Sequence, residues 1–156
     1  MTKNDEFVVE YLVVHHSASD KHVCCDDIRK WHIERGWDDI GYHWLVNQEG
    51  EVTQGRVEAL PGAHALGLNF KSLGVCCIGH YEQESPSENM IKALVDTLTR
   101  LCYKYNLGTE RIIGHSDVFK LNPQATQTKC PGQGLVELLP TIRQAVQQQL
   151  DLAKSG

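Results

Sequence analysis

The chain has 156 residues, 41% of them hydrophobic and 22% charged, and a formal net charge of −5. These values are ordinary for one globular domain with a buried core, and the negative charge argues against nucleic acid as a main partner. No apolar run approaches the length of a membrane helix, and the acidic N-terminus lacks the apolar core of a signal peptide. We therefore expect a single domain over residues 1–156 that is cytoplasmic, with no nucleic-acid or membrane partner.

Strand patterns dominate the first half of the chain. Segments rich in β-branched and aromatic residues predict strands over residues 7–14, 42–46, 51–54 and 73–78. The first strand should end at a histidine pair, and the second and third should form a hairpin. Residues 55–72 are irregular, and long irregular loops in compact domains are usually functional.

A short helix is predicted over residues 28–35, between the first two strands. Its N-cap should be one of two aspartates, Asp26 or Asp27. Ile28 and Trp31 lie three residues apart and should share the buried face. His32, on the same helix, is expected to be solvated.

The second half predicts two long helices around one short strand. Ser85 is the expected N-cap of the first helix, because Pro86 and Glu88 complete a capping box before an apolar stripe that runs to Tyr105. The other predicted elements are a strand over 111–114, a polar loop over 119–129 and a helix over 135–152 that contains Pro140. Interspersed strands and helices predict an α/β fold, with one mixed sheet and helices on its faces.

The six cysteines include two adjacent pairs, which do not look like a disulfide framework because neighbouring cysteines bridge only with strain. In a reducing cytosol they should mostly be thiols. Cys76, Cys77 and Cys102 lie in apolar segments and are predicted to be buried. Cys24 and Cys25 have no evident role.

Three candidate metal ligands follow short apolar segments or lie in loops: His15, His115 and Cys130. Three protein ligands leave one zinc position free for water, which is typical of a catalytic site. The usual short zinc motifs are absent, so the spacing alone is a weak signal. The chemistry cannot choose between His15 and His16, because neighbouring strand residues point to opposite faces.

Several blocks of the sequence, taken together, are much more specific. These blocks lie at residues 13–19, 28–32, 36–37, 40–46, 62–65, 68–69, 72–76, 114–118 and 130–132. They resemble, in order and at sensible spacings, the type 2 N-acetylmuramoyl-L-alanine amidases, a family that includes amidase-type phage lysozymes and has the peptidoglycan recognition proteins as relatives.

This resemblance implies a zinc amidase that cleaves the bond between the lactyl group of N-acetylmuramic acid and L-alanine, with peptidoglycan or a muropeptide as substrate. The implied Zn²⁺ ligands are His15, His115 and Cys130. Tyr42 matches the catalytic tyrosine, and His64 matches a cleft histidine that contacts substrate. An endolysin-like enzyme, monomeric by default and acting on the cell wall after release, is the leading hypothesis.

One departure from the family pattern concerns the residue two positions before the third ligand. Phage lysozymes have a catalytic lysine there, whereas this chain has Thr128, with Lys129 one position later. Either side chain could help Tyr42 to stabilise an oxyanion.

Two rival functions stay open at this stage. The chain could be a recognition module that binds muropeptide without cutting it. Alternatively, Cys130 and His115 could be the nucleophile and base of a cysteine hydrolase.

Overall fold

The computed structural model describes residues 6–155. Five strands form one mixed sheet in the order β3-β2-β4-β1-β5. Their bounds are Tyr11–His16 (β1), Trp44–Val46 (β2), Val52–Gln54 (β3), Ser72–Cys77 (β4) and Ile112–Gly114 (β5). The β2–β3 hairpin is antiparallel and the other three pairings are parallel. The predicted fold class is confirmed.

The helices lie against this sheet and between its strands. Their bounds are Cys25–Glu34 (α1), Glu88–Tyr105 (α2), Val118–Leu121 (α3), Gln133–Val136 (α4) and Leu139–Ser155 (α5). The largest apolar cluster joins α2 and α5 to one face of the sheet. Within the described residues, none of the helices combines the length and apolar character that crossing a membrane requires.

The alternation of side chains along β1 decides where its histidines point. Leu12 and Val14 belong to the core under α2 and α5, whereas Val13 packs in a smaller cluster on the opposite face. Because side chains alternate along a strand, His15 shares the face of Val13 and His16 shares the face of Val14. The face away from α2 and α5 is therefore the one that carries His15.

The first strand and first helix differ from the prediction. β1 starts four residues later than expected and runs to His16, because its ladder with β4 spans residues 11–16. α1 begins at Cys25, with Cys24 as the N-cap residue. The Cys24 backbone N–H donates to Asp27 Oδ2 at 3.1 Å, so neither aspartate is the N-cap.

The buried face of α1 also differs from the prediction. Cys25, Ile28 and His32 are buried, whereas Trp31 is 39% exposed. The predictions that Trp31 is buried and His32 solvated were therefore wrong. The Nδ1 atom of His32 accepts a hydrogen bond from Gly41 N–H at 2.9 Å, which satisfies the buried ring.

The second half follows the predicted pattern with shifted ends. The N-cap of α2 is Ser87, not Ser85, and its Oγ accepts a hydrogen bond from Met90 N–H at 3.0 Å. The expected polar loop contains α3, and the last predicted helix is split into α4 and α5, with Pro140 in the first turn of α5. The three cysteines predicted to be buried are so: Cys76, Cys77 and Cys102.

Candidate metal centre and cleft

Three side chains from distant parts of the chain converge at one edge of the sheet. His15 lies near the end of β1, His115 directly follows β5, and Cys130 lies in the loop before α4. One nitrogen or sulfur atom from each lies within 4.8 Å of the others. The Cys130 Sγ is 3.7 Å from His15 Nδ1, close to the roughly 3.5 Å expected between two ligands of one tetrahedral zinc ion. The donor set and its spacing fit zinc.

Parallel pairing explains how the two histidines meet. β1 and β5 run side by side, with Val14 opposite Gly114. The next residue of each strand is a histidine, and the ring centroids of His15 and His115 lie 4.6 Å apart. The carboxyl ends of neighbouring parallel strands are a common place for functional sites in α/β proteins.

The protonation of this cluster suits metal binding. Burial, reinforced by neighbouring His64 and His115, holds the pKa of His15 well below its ordinary value. Burial also lowers the pKa of His115. Both rings are therefore neutral near pH 7, which is the form that binds metal ions.

Unlike the two histidines, Cys130 needs a nearby cation to reach the form that binds metal, the thiolate. Burial raises the pKa of the Cys130 thiol to about 12, while a hydrogen bond from the His16 backbone N–H to Sγ, 3.3 Å long, acts in the opposite direction. A cation beside the sulfur would favour the thiolate. Without one, the thiol stays protonated.

The loop that carries Cys130 is fixed on both sides. The Cys130 carbonyl accepts a hydrogen bond from Ser116 N–H at 2.7 Å, and Cys130 N–H donates to Thr128 Oγ1 at 3.2 Å. Gly132 follows with a φ of +93°, and a Cβ there would lie 2.5 Å from the backbone carbon of Tyr81. A glycine is therefore required for both conformation and space.

His64 lies against the cluster as well as in the cleft. Its Nδ1 is 2.9 Å from His15 Nε2. The Asn69 side-chain oxygen accepts hydrogen bonds from the backbone N–H groups of His64 and Ala65, at 3.0 and 2.9 Å. The structure thus brings this predicted site residue into contact with a candidate ligand.

The other predicted site residues, Tyr42, Thr128 and Lys129, differ in how they contact the three candidate ligands. The Tyr42 ring centroid is 5.1 Å from that of His15, and burial raises the pKa of its phenol well above the ordinary value, so the hydroxyl stays a donor. Thr128 is half-buried and bonded to Cys130 N–H. Lys129 is exposed, and none of the described side-chain hydrogen bonds joins it to the cluster.

A cavity of about 460 Å³ opens beside the cluster. Its lining combines apolar and polar groups, namely Trp37, Ala63, His64, Ala65, Leu66, Asn69, His115 and Thr126. Several of these were not predicted as site residues. The irregular segment 55–72 was the sequence signal for them, since it supplies five of the eight.

Other histidines have structural partners. His16 Nδ1 accepts a hydrogen bond from Tyr81 N–H at 3.1 Å, and His43 Nδ1 accepts one from Gly74 N–H at 3.0 Å. Asp117 does not contact His115 by a hydrogen bond in the described part of the chain. Its Oδ2 accepts from Gly114 N–H at 3.1 Å and so stabilises the turn after β5.

Comparison with known proteins places this site in context. The family model for N-acetylmuramoyl-L-alanine amidase matches residues 4–133. The chain is 35% identical to an endolysin of Enterobacteria phage T3 over 116 residues, which covers 70% of this chain and 76% of the endolysin. It is 32% identical to an N-acetylmuramoyl-L-alanine amidase of Sus scrofa over 143 residues, which covers 84% of this chain and 23% of that protein. The chain therefore spans about a quarter of the length of this mammalian relative.

Solved structures share the fold. The N-acetylmuramoyl-L-alanine amidase LysC from Clostridium intestinale URNW superposes with a TM-score of 0.77 at 29% identity, covering 86% of this chain and 85% of that chain. Peptidoglycan recognition protein LE, solved in complex with tracheal cytotoxin, superposes with a TM-score of 0.73 at 31% identity, covering 87% of this chain and 81% of that chain.

Proposed function

We propose that this chain, which belongs to the N-acetylmuramoyl-L-alanine amidase family, is a zinc-dependent hydrolase of peptidoglycan. The bond cleaved is the amide between the lactyl group of N-acetylmuramic acid and L-alanine. The observation that carries this proposal is the convergence of His15, His115 and Cys130 within 4.8 Å beside an open cleft.

The three converging residues would hold the metal. Zinc bound there would supply Lewis acidity, which activates water and polarises an amide carbonyl that is otherwise a poor electrophile. The protein contributes two neutral imidazoles, since burial lowers the pKa of both His15 and His115. It also holds the Cys130 sulfur in place through the His16 backbone N–H.

Tyr42 is proposed as the donor to the oxyanion that develops on the amide carbonyl. Its raised pKa keeps the phenol protonated, and its ring lies beside that of His15. A donor fixed before the reaction stabilises developing charge without reorganisation. Thr128 holds the Cys130 loop through its Oγ1, and the neighbouring Lys129 is an exposed cation.

The cleft suits a substrate with both apolar and polar groups. Trp37 and Leu66 provide apolar surface, while Asn69 and Thr126 provide polar groups. The endolysin relative and the amidase LysC point to bacterial peptidoglycan as the substrate. An endolysin-like role in cell wall degradation fits these similarities best.

A recognition module is the second candidate. It is favoured by the likeness to peptidoglycan recognition protein LE, whose structure holds tracheal cytotoxin. Against it, all three candidate metal ligands are present in this chain. The cysteine hydrolase is less well supported, because burial raises the pKa of Cys130 to about 12, whereas nucleophilic cysteines usually have lowered pKa values.

The test is cleavage of purified peptidoglycan by zinc-loaded protein, followed by identification of the released ends. Stem peptides that begin with free L-alanine are the expected product, with activity lost to a chelator and restored by zinc. Muropeptide binding without release would favour the recognition module. Cleavage that survives complete removal of metal would favour the thiol nucleophile.

A further inference from the structure

We propose that His64 and Ser72 are positioning residues that fix the tautomer of His15, so that Nδ1 of His15 is the atom offered to the metal. This inference rests on the proposed zinc site. It gives His64 a role different from the substrate contact that the family resemblance implies. The proposal is carried by a chain of hydrogen bonds buried beneath the candidate metal centre.

The chain runs from His15 into the protein. His15 Nε2 lies 2.9 Å from His64 Nδ1, and His64 Nε2 lies 3.4 Å from Ser72 Oγ. Ser72 Oγ lies 2.7 Å from the Leu68 carbonyl oxygen. His15 is 1% exposed, His64 9% and Ser72 0%, so these bonds are largely shielded from water.

The Leu68 carbonyl, at the buried end of this chain of hydrogen bonds, determines which atom is the donor in each bond. A carbonyl oxygen can only accept, so the Ser72 hydroxyl donates to Leu68. Ser72 Oγ is then the acceptor for His64 Nε2–H. His64 Nδ1 is consequently without a proton and accepts from His15 Nε2–H, which leaves a lone pair on His15 Nδ1.

That lone pair lies on the side of a second candidate ligand, Cys130. The Cys130 Sγ is 3.7 Å from His15 Nδ1, on the side away from His64. Histidine ligands in metal sites usually donate their second ring N–H to a neighbouring acceptor, which fixes both tautomer and ring orientation. Here a second histidine takes the place that a carboxylate or carbonyl commonly fills.

The surroundings leave His64 little freedom. A Cβ on Gly74 would lie 2.6 Å from the ring of His64, so the glycine makes room for the imidazole. On the other side Asn69 holds the His64 backbone. The His64 ring is therefore held in position before any metal binds, so His15 is already ordered in the folded protein.

Two measurements test this role. Long-range proton–nitrogen NMR of zinc-free wild type should show His15 protonated on Nε2. Zinc affinity, measured by competition with a chelator, should fall about 10–100-fold in His64→Leu. His64→Asn should recover most of the affinity, because its side-chain oxygen can accept near the position of Nδ1. Ser72→Ala should lower the affinity less and give a mixture of His64 tautomers.

A matched control is His32→Leu, which removes another buried imidazole that accepts from Gly41 N–H and makes no described hydrogen bond to the cluster. It should lower the melting temperature but leave zinc affinity within about twofold of wild type. If His64→Leu fails to fold, the tautomer of His15 in wild type and the zinc affinity of Ser72→Ala still test the proposal.

The proposal is overturned if His15 carries its proton on Nδ1, or if folded His64→Leu binds zinc as tightly as wild type. These failures are distinct from failure of the proposed function. Wild type that binds no zinc would refute the zinc hydrolase, whereas wild type that binds zinc independently of His64 would refute only the positioning role.

Discussion

The Cys130 sulfur lies 3.7 Å from Nδ1 of His15, although 115 residues separate the two in sequence. Two features of the fold produce this contact. The parallel pairing of β1 with β5 brings their carboxyl ends together, and the loop after β5 folds back until Cys130 bonds to the turn at Ser116. A proposed metal site of this kind depends on the fold as a whole.

Tyr42→Phe should lower the rate of peptidoglycan cleavage by about 10²–10³-fold, because removal of one preorganised oxyanion donor has an effect of that size. Zinc affinity should not change, since the hydroxyl is not a candidate ligand. Cleavage rates and chelator competition on the same preparation measure both. Loss of zinc in this variant would mean that Tyr42 acts through structure instead.

Thr128→Val and Lys129→Ala distinguish the roles of the two residues that precede the third candidate ligand, Cys130. Thr128→Val should weaken zinc binding, because Oγ1 no longer accepts the Cys130 N–H bond that holds the loop. Lys129→Ala should leave zinc affinity intact and lower the cleavage rate by less than about tenfold, as expected for an exposed charge. If Lys129→Ala loses as much activity as Tyr42→Phe, the lysine is a second catalytic donor.

Gly132→Ala should destabilise the protein more than Gly36→Ala, although the two glycines have φ values of +93° and +95°. Both substitutions force an L residue to a positive φ, at a cost of about 1–3 kcal/mol. At Gly132 the Cβ would also meet the Tyr81 backbone at 2.5 Å, whereas nothing lies within 4 Å at Gly36.

Urea unfolding of the two glycine variants measures the difference, which should be about 1–3 kcal/mol for the added overlap. Gly132→Ala should also weaken zinc binding, because the glycine follows Cys130 closely. Equal destabilisation by both substitutions would mean that the loop can move away from Tyr81 at no cost.

Glu58 should contribute to stability at neutral pH. It is 8% exposed and accepts hydrogen bonds from Trp44, Lys104 and Tyr105 at 2.7 Å each. Burial raises the pKa of this carboxyl, but the three hydrogen bonds outweigh it and lower the pKa from 4.5 to about 2. The stabilisation is therefore fully present above pH 4.5 and is lost as the pH falls towards 2.

Glu58→Gln should accordingly lower the free energy of unfolding by about 2 kcal/mol at pH 7, with a smaller difference from wild type at lower pH. Glu110→Gln is the control, because Glu110 is 75% exposed and lies 3.9 Å from Arg111. It should change stability by less than about 0.5 kcal/mol. A Glu58→Gln difference that stays constant from pH 7 to 2 would contradict the lowered pKa.

The parts of the fold that the sequence predicts are those with a strong local pattern. The apolar stripe of α2 stands out because it follows the helical period over 18 residues, and β4 stands out because its six residues are all buried. The bounds of β1 were wrong because pairing with β4, and not local propensity, decides where the strand ends. His32 was placed wrongly because its ring accepts a hydrogen bond from Gly41 N–H, a tertiary contact that the helical pattern does not show.

The candidate site, like the fold, was predictable from the sequence only in part. Ordered motif blocks bring His15, His115 and Cys130 to attention, and the structure places them together. The cleft lining comes from four separate parts of the chain, so only the fold can assemble it. Ser72 lies in one of the matching blocks, but its proposed role depends on a contact with His64 that only the structure shows.

The most direct test of the central claim measures zinc content and peptidoglycan cleavage together in wild type, Cys130→Ala and Cys24→Ala. Cys24 is an exposed thiol that is not one of the three candidate ligands, and it is the matched control. Wild type and Cys24→Ala should each bind one zinc ion per chain and release stem peptides with free L-alanine, whereas Cys130→Ala should lose both properties. Cys130→Ala that keeps its zinc and still cleaves peptidoglycan would contradict the proposed metal centre.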